Sequence, residues 1–450
     1  MGRLFGTDGV RGVAGTELSC ELAMELGRAA AFVLTKHVSH RPKVIIGKDT
    51  RISSDMLEGA LLAGLCSVGA DVEILGVVPT PAVAYLVNRY DADMGVMISA
   101  SHNPVEYNGI KLFNHEGYKL SDSIEDEIEA IILGEHKPYT LTDGLALGRV
   151  SHSQKAVEDY VSHLLGTIPG DLSGLRVAVD CANGSASATA GLLFEKCGAA
   201  VTFLHNTPDG GNINLNCGST HMDSLRAELQ KGGYDAGVAY DGDADRCLML
   251  DSQGSLVDGD QVLAIVGQHL QQQGKLPGGA LVVTILSNMG LTAFAKEQGM
   301  TTVATKVGDR YVLEEMRENG YAIGGEQSGH TIFLEHATTG DGELTSLQVL
   351  HIVKESGKSL ETLANQMKKY PQQSVNIKAD AAQKQLFESD PEIQSQVQKA
   401  EDSLQGEGRI IVRVSGTEPL IRVLAEGKDE TKTRETATAL ASWIEQRIKK

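Results

Sequence analysis

The chain has 450 residues, of which 41% are hydrophobic, 22% charged and 4% aromatic, with 50 glycines. That is length for roughly three domains of about 150 residues each, in an ordinary globular composition. A net charge of −19 argues against nucleic acid or an anionic membrane as partner, and an anionic substrate would need cations gathered locally. The N-terminal MGRLFGTDGV has no apolar leader, and no later run approaches the roughly 18 apolar residues of a membrane span. Cysteines at 20, 66, 181, 197, 217 and 247 form no C-x-x-C pair. Reduced, mostly buried thiols in a cytoplasmic protein are expected.

Taken in order, one pattern occurs three times: a strand, a polar loop and helix, a Gly-led second strand, then a third strand ending in a polar loop. KVIIGKDTR, VGADVEIL and GVMISASHNP form the first set. LRVAVDCANG, KCGAAVTFL and AGVAYDGDADR form the second, and ALVVTILSN, EQGMTTVATK and GYAIGGEQSGH the third. Gly69, Gly198 and Gly299 mark the second strands. Such units build mixed or mainly parallel sheets with helices on both faces, and ligands sit outside the strand ends. The expected fold is α/β: three related α/β domains with mixed sheets and a smaller α+β C-terminal domain around a central cleft. Composition places the boundaries at 1–150, 151–255, 256–370 and 371–450. The tail reads as a short strand at 375–377, a polar helix over 381–404, two strands, and an amphipathic helix from about 430.

The polar loops carry the chemistry. In Gly95–Pro104 (GVMISASHNP) an apolar strand ends in Ser99, Ser101, His102 and Asn103. A hydroxyl held rigidly at a strand end suits a nucleophile or phosphate carrier, although Ser and Asn also cap helices. The second loop is Asp241-Gly242-Asp243-Ala244-Asp245-Arg246. Carboxylates at i, i+2 and i+4 in an extended loop converge on a hard cation such as Mg²⁺. An EF-hand is excluded, because its Gly and Glu positions hold Arg246 and Ser252. Arg246 is a phosphate or ligand contact in waiting. The third loop, Gly324–His330, offers Glu326, Ser328 and His330 to sugar hydroxyls. In the tail, Arg413, Ser415, Gly416 and Thr417, with Arg422 behind them, make a phosphate cradle. Arg11, Lys111, Lys306 and Arg310 are further cations for the cleft. There is no G-x-S-x-G and no G-x-x-x-x-G-K-[ST], which removes the serine hydrolase and P-loop readings.

The loops ISASHNP, DGDADR, GEQSGH and RVSGTEP, in this order and with the opening FGTDGVRG, resemble the α-D-phosphohexomutase family over essentially the whole chain. The resemblance implies a four-domain, heart-shaped enzyme. Ser101 would be the phosphoserine, and Asp241, Asp243 and Asp245 would hold Mg²⁺ with an oxygen of the Ser101 phosphate. Arg246, Lys306, Glu326, Ser328 and His330 would contact the sugar, and Arg413, Ser415, Gly416, Thr417 and Arg422 the non-reacting phosphate. Arg11 would join the catalytic set. Lys111, His102 and His330 compete for the proton of the sugar hydroxyl, with Lys111 favoured. Relatives acting on glucose or mannose phosphates more often carry Thr at 99 and another residue at 327. Ser99 and Gln327 therefore point to interconversion of glucosamine 6-phosphate and glucosamine 1-phosphate through a 1,6-bisphosphate. The alternatives are a glucose or mannose phosphate mutase of the same family, or a non-catalytic sugar-phosphate sensor. The sequence leaves oligomeric state open, a homodimer being one expectation.

Overall fold

The computed structural model describes residues 4–6, 8–415 and 419–449. The first sheet uses β1 (Phe5–Gly6), β2 (Gly9–Val13), β3 (Lys43–Lys48), β4 (Asp71–Val77), β5 (Met94–Ile98), β6 (Tyr107–Asn114) and β7 (Val150–His152), in the order β1-β2-β6-β5-β3-β4-β7. The second uses β8 (Arg176–Asp180), β9 (Ala200–Leu204), β10 (Ala236–Tyr240), β11 (Cys247–Asp251) and β12 (Leu256–Val257), in the order β12-β11-β10-β8-β9. The third uses β13 (Ala280–Thr284), β14 (Thr301–Thr305), β15 (Ile323–Gly325) and β16 (Thr331–Phe333), in the order β14-β13-β15-β16.

One four-stranded core recurs in all three. The strands β4-β3-β5, β9-β8-β10 and β14-β13-β15 pair in parallel. An antiparallel strand follows on the same side each time: β6, β11 and β16. The sequence pattern contained the three parallel strands and missed the fourth. It makes each polar loop the tip of a β-hairpin, held on both sides by the ladder. The strands leading into the first two tips, MGVMI and AGVAY, are buried throughout, as expected for strands covered on both faces.

The helices Cys20–Thr35 and Ile52–Ser67 pack on the first sheet through Leu26, Ala30, Leu57, Leu61 and Leu65. Ser19 caps the first helix by accepting the Leu22 N–H at 3.2 Å, which satisfies one of the orphan donors of its first turn. The crossing is close because Gly64 has no side chain. A Cβ there would lie 2.2 Å from the Met24 carbonyl oxygen.

The tail sheet is antiparallel: β17 (Gln372–Lys378), β18 (Gly408–Val414) and β19 (Leu420–Gly427), ordered β17-β19-β18. The helix Glu430–Ile448 covers it through Ala437, Leu440, Ala441 and Ile444. The single polar helix expected over 381–404 is two, Ala381–Ser389 and Pro391–Ser403. Proline lacks an N–H and pushes the residue before it out of the helical region. Asp390 accordingly sits at φ −85°, ψ 110°, and its carboxylate accepts the Glu392 N–H. The chain divides into two compact units, one of residues up to Leu286 with Met300–Gln366, the other of Ser287–Gly299 with residues from Met367 on. In the second, Asn288 exchanges hydrogen bonds with the Tyr370 backbone, and Glu426 accepts the Met289 N–H at 2.8 Å.

Gly64→Ala should force the two helices apart and cost on the order of 1–3 kcal/mol, read as a lower unfolding temperature. Gly59→Ala, on the same helix with nothing within 4 Å of its added methyl, should be neutral or raise it, since Ala is the better helix former. Equal shifts for the two would contradict the close crossing.

Candidate active site

The three hairpin tips of the larger unit meet. The Ser101 hydroxyl donates to Asp241 Oδ2 at 2.5 Å. The Cys247 N–H, just after the second tip, donates to the Gly329 carbonyl of the third at 3.0 Å. Glycine permits the approach of the first two, since a Cβ on Gly242 would lie 2.5 Å from the Ser101 carbonyl oxygen. Ser101 itself stands at φ +53°, a conformation uncommon for a residue with a side chain. Such a residue persists where its surroundings over-determine it.

The surroundings are polar and buried. Arg51, 2% exposed, donates to the carbonyls of Ser101, Asn103 and Pro104 at 2.9, 2.8 and 2.6 Å. Asn214 Nδ2 adds bonds to the first two. Asp49 holds Arg51 Nε at 2.9 Å and accepts the Ser99 hydroxyl at 2.6 Å. Ser99 Oγ in turn accepts the Ser101 N–H at 2.9 Å. Ser99 is wholly buried, so it positions Ser101 and does not face a sugar. As a marker of the substrate, Ser99 rests on the family resemblance and not on a contact of its own.

Asp241, Asp243 and Asp245 are all buried, and one oxygen from each lies within 4.8 Å of the others. Asp243 Oδ2 accepts from Lys111 at 2.6 Å and from the Thr80 hydroxyl at 2.5 Å. Asp245 Oδ2 faces Lys111 at 3.4 Å. Asp243 Oδ1 and Asp245 Oδ1 have no hydrogen-bond partner among the described residues. Orphaned buried carboxylate oxygens are costly, and a divalent cation would satisfy both, so these residues fit a metal. Burial, with Asp245 and Asp243 beside it, pushes the Asp241 carboxyl well above its usual range. Burial also opposes ionisation of Asp245, but Lys111, His330 and Arg246 hold it below.

Lys111 is 1% exposed. Burial disfavours its charge, yet Asp243, Asp8 and Asp245 outweigh that and push its pKa up. These carboxylates favour its ammonium form, which suits charge neutralisation; the proton-accepting role was the one expected from sequence. His102 is opposite. Burial, Arg246 and Arg11 pull it down to about 4. Its Nδ1 accepts from Arg246 at 2.9 Å and lies 3.3 Å from Ser101 Oγ. Arginine can only donate, so that nitrogen carries the lone pair. His330 is 2% exposed, and its Nε2 accepts the Gly340 N–H at 2.9 Å. It is spent inside the fold and is not placed to contact a sugar.

Glu326 accepts from the Gly308 N–H at 3.3 Å and the Ser328 hydroxyl at 3.4 Å. With Arg246, Gln327 and Ser328 it lines a cavity of about 600 Å³. Lys306 is exposed, 5.8 Å from the Tyr311 ring centre. Arg11 pairs with Asp8. Arg310, expected in the cleft, is spent on Asp122 and Glu314. Sequence reasoning passed over Asp8, Lys119 and Asp309. Lys119 bridges the two aspartates at 2.6 Å each, and Asp8 continues to Lys111 at 3.2 Å. Asp8 stood in the quoted FGTDGVRG and Asp309 beside Arg310, but only folding reveals that their charges alternate in space. In the smaller unit, Arg413 and Arg422 face each other across β18 and β19. Like charges directly opposite are unfavourable, an arrangement an anion would relieve. Ser415 is buried; Gly416 and Thr417 lie outside the described residues.

Comparison with known proteins matches four family profiles in chain order: phosphoglucomutase/phosphomannomutase alpha/beta/alpha domains I, II and III over residues 2–138, 158–254 and 258–370, and the C-terminal domain over 375–442. The chain belongs to the phosphoglucomutase/phosphomannomutase family. Among curated relatives, phosphoglucosamine mutases of Acetivibrio thermocellus and Caldicellulosiruptor bescii are 53% and 55% identical, each match covering 100% of both chains. Solved structures agree in fold. A family protein from Burkholderia thailandensis superposes with a TM-score of 0.80 at 22% identity, covering 98% of this chain and 97% of its own. Aspergillus fumigatus N-acetylphosphoglucosamine mutase, in complex with GlcNAc-6P and magnesium, gives 0.71 at 18%, covering 98% and 95%. The fold is thus that of phosphohexomutases.

Asp243→Asn should weaken divalent-cation binding by at least about tenfold, measured by titrating Mn²⁺ into the metal-stripped protein. Unchanged affinity would remove the triad as the metal site.

Proposed function

We propose that the protein is a Mg²⁺-dependent phosphoglucosamine mutase, interconverting glucosamine 6-phosphate and glucosamine 1-phosphate through an enzyme phosphoserine and a 1,6-bisphosphate. The observation that carries this reading is the Ser101 hydroxyl 2.5 Å from an aspartate triad with two unpartnered oxygens. Its substrate rests on the full-length relatives that bear that name at 53–55% identity, since Ser99 is buried. Gln327 retains a place at the cavity wall beside Glu326 and Ser328. The product would feed synthesis of UDP-linked amino sugar and hence of cell-wall precursor. Free thiols at all six cysteines suit the cytoplasm.

Asp241, Asp243 and Asp245 would hold Mg²⁺, supported by the magnesium in the A. fumigatus relative. When bound, the ion supplies charge that stabilises the transferring phosphoryl group. The chain's own residues do the rest. Arg51, Asn214 and Ser99 fix the Ser101 backbone so that its phosphate meets the substrate in line. A sugar hydroxyl oxygen forms a bond to phosphorus as the bond from phosphorus to Ser101 Oγ breaks. The hydroxyl proton leaves to His102, whose Nδ1 is freed when Arg246 turns from it to the phosphoryl oxygens. Lys111 and Arg246 stay protonated and offset the charge of the phosphoryl oxygens. The bisphosphate then returns its other phosphate to Ser101. Arg413, Ser415, Gly416, Thr417 and Arg422 hold the phosphate that does not react, in either orientation of the sugar, while Glu326 and Ser328 bind hydroxyls.

Ser101→Ala should abolish turnover and remove the covalent phosphate from the intact mass. Ser99 should not take it over, because its hydroxyl is enclosed by Asp49 and the Ser101 N–H. Retained activity would end the mechanism. The substrate assignment is tested by kcat/KM for glucosamine 1-phosphate against glucose 1-phosphate and mannose 1-phosphate. One exchanged group is worth about 1–3 kcal/mol, so ratios of roughly ten to a couple of hundred are expected. A ratio below one against either competitor would move the chain to another branch of its family.

A further inference from the structure

Among the described residues, a second set of metal-binding side chains lies outside the Asp241 triad: Asp180, His205 and Cys217. Asp180 ends β8, His205 follows β9, and Cys217 closes the loop that runs on from there. One ligand-bearing atom of each lies within 4.8 Å of the other two. Asp180 and Cys217 are fully buried and His205 half-buried. His205 Nδ1 lies 3.0 Å from Asp180 Oδ2, and Asp180 Oδ1 accepts the Ala182 N–H at 2.9 Å.

We propose that these three side chains form a structural site for a borderline-soft divalent cation of the zinc class, separate from the triad that serves the reaction. The donors carry the choice. Thiolate and imidazole favour zinc and its neighbours, whereas an all-oxygen triad suits a hard ion. Tetrahedral bonds of about 2.0–2.3 Å put ligand atoms roughly 3.3–3.8 Å apart, within reach of small side-chain rotations here. Without an ion, burial and Asp180 push the Cys217 thiol up to about 12. A bound cation reverses that, because the thiolate gains its charge partner; the thiol proton and any on the ligating imidazole nitrogen pass to solvent.

The position gives the site a consequence. Asn214, between His205 and Cys217 in the chain, is the residue that donates to the Ser101 and Asn103 carbonyls. Gly210 on the same segment accepts the Ile52 N–H at 2.9 Å, next to Arg51. A cation tying both ends of 205–217 to the end of β8 would fasten the brace on the serine loop. His205, Asn214 and Asn216 on this segment, and Ala182 and Asn183 beside it, all adopt positive φ, so the segment is one that profits from being fastened.

The test is a Co²⁺ titration of the chelator-treated, full-length protein with excess Mg²⁺ present to fill the triad. One equivalent should bind with a near-ultraviolet thiolate-to-cobalt absorption. Asp243→Asn should keep that absorption and Cys217→Ser should lose it. His205→Ala, at a half-exposed position, should weaken Co²⁺ by more than about tenfold and provides the answer if Cys217→Ser does not fold. Absence of the absorption in the parent protein, its survival in Cys217→Ser, or unchanged affinity in His205→Ala would overturn the site.

Discussion

Everything at this site depends on keeping several carboxylates out of water and close together. Asp8, Asp243 and Asp245 all face the buried ammonium of Lys111, and Lys119 repeats the arrangement between Asp8 and Asp309. Removing one partner from such a pair costs about 3–5 kcal/mol. Two buried lysines thus answer four of the site's acidic residues, Asp8, Asp243, Asp245 and Asp309. Asp243 Oδ1 and Asp245 Oδ1 are left without a hydrogen bond among the described residues, with Arg246 Nε 3.9 Å from the second. Stability and function meet there, since the same burial that makes the unpaired oxygens expensive makes them a strong cation site.

The second constraint is backbone. Ser101 occupies a left-handed conformation that a serine does not adopt unaided. Arg51 supplies the compensation with a planar fork that reaches three carbonyls, a geometry lysine does not share. Fixing the serine before substrate arrives is how a fold shortens the path to an in-line transfer.

The loops that carry chemistry were legible in the sequence because each is a break of pattern: polar residues directly after an apolar strand. The threefold repeat was legible for the same reason. The fourth strand of each core was not. YNGIKLFN, CLMLD and TIF follow loops whose chemistry drew attention away from them, and TIF is too short to show a period. The surroundings of His330, expected at the sugar, and of Arg310, expected as a cleft cation, were not legible because sequence gives a residue's chemistry and not its neighbours; Gly340 bonds the one, and Asp122 with Glu314 the other. Lys111 was expected as a cation of the cleft and as a proton carrier; that three carboxylates from distant positions surround it was not visible in the sequence. Arg51 lay in plain view in KDTR, but a clamp on backbone carbonyls leaves no side-chain motif to find.

The central claim is that the Ser101 phosphate goes to the sugar and comes back. Enzyme carrying radiolabelled phosphate on Ser101, mixed with unlabelled glucosamine 1-phosphate and quenched within a turnover, tests it directly. The account predicts label in glucosamine 1,6-bisphosphate first, and then in both monophosphate and enzyme. Label released as inorganic phosphate, at the rate substrate is consumed, would contradict it and make the protein a phosphatase.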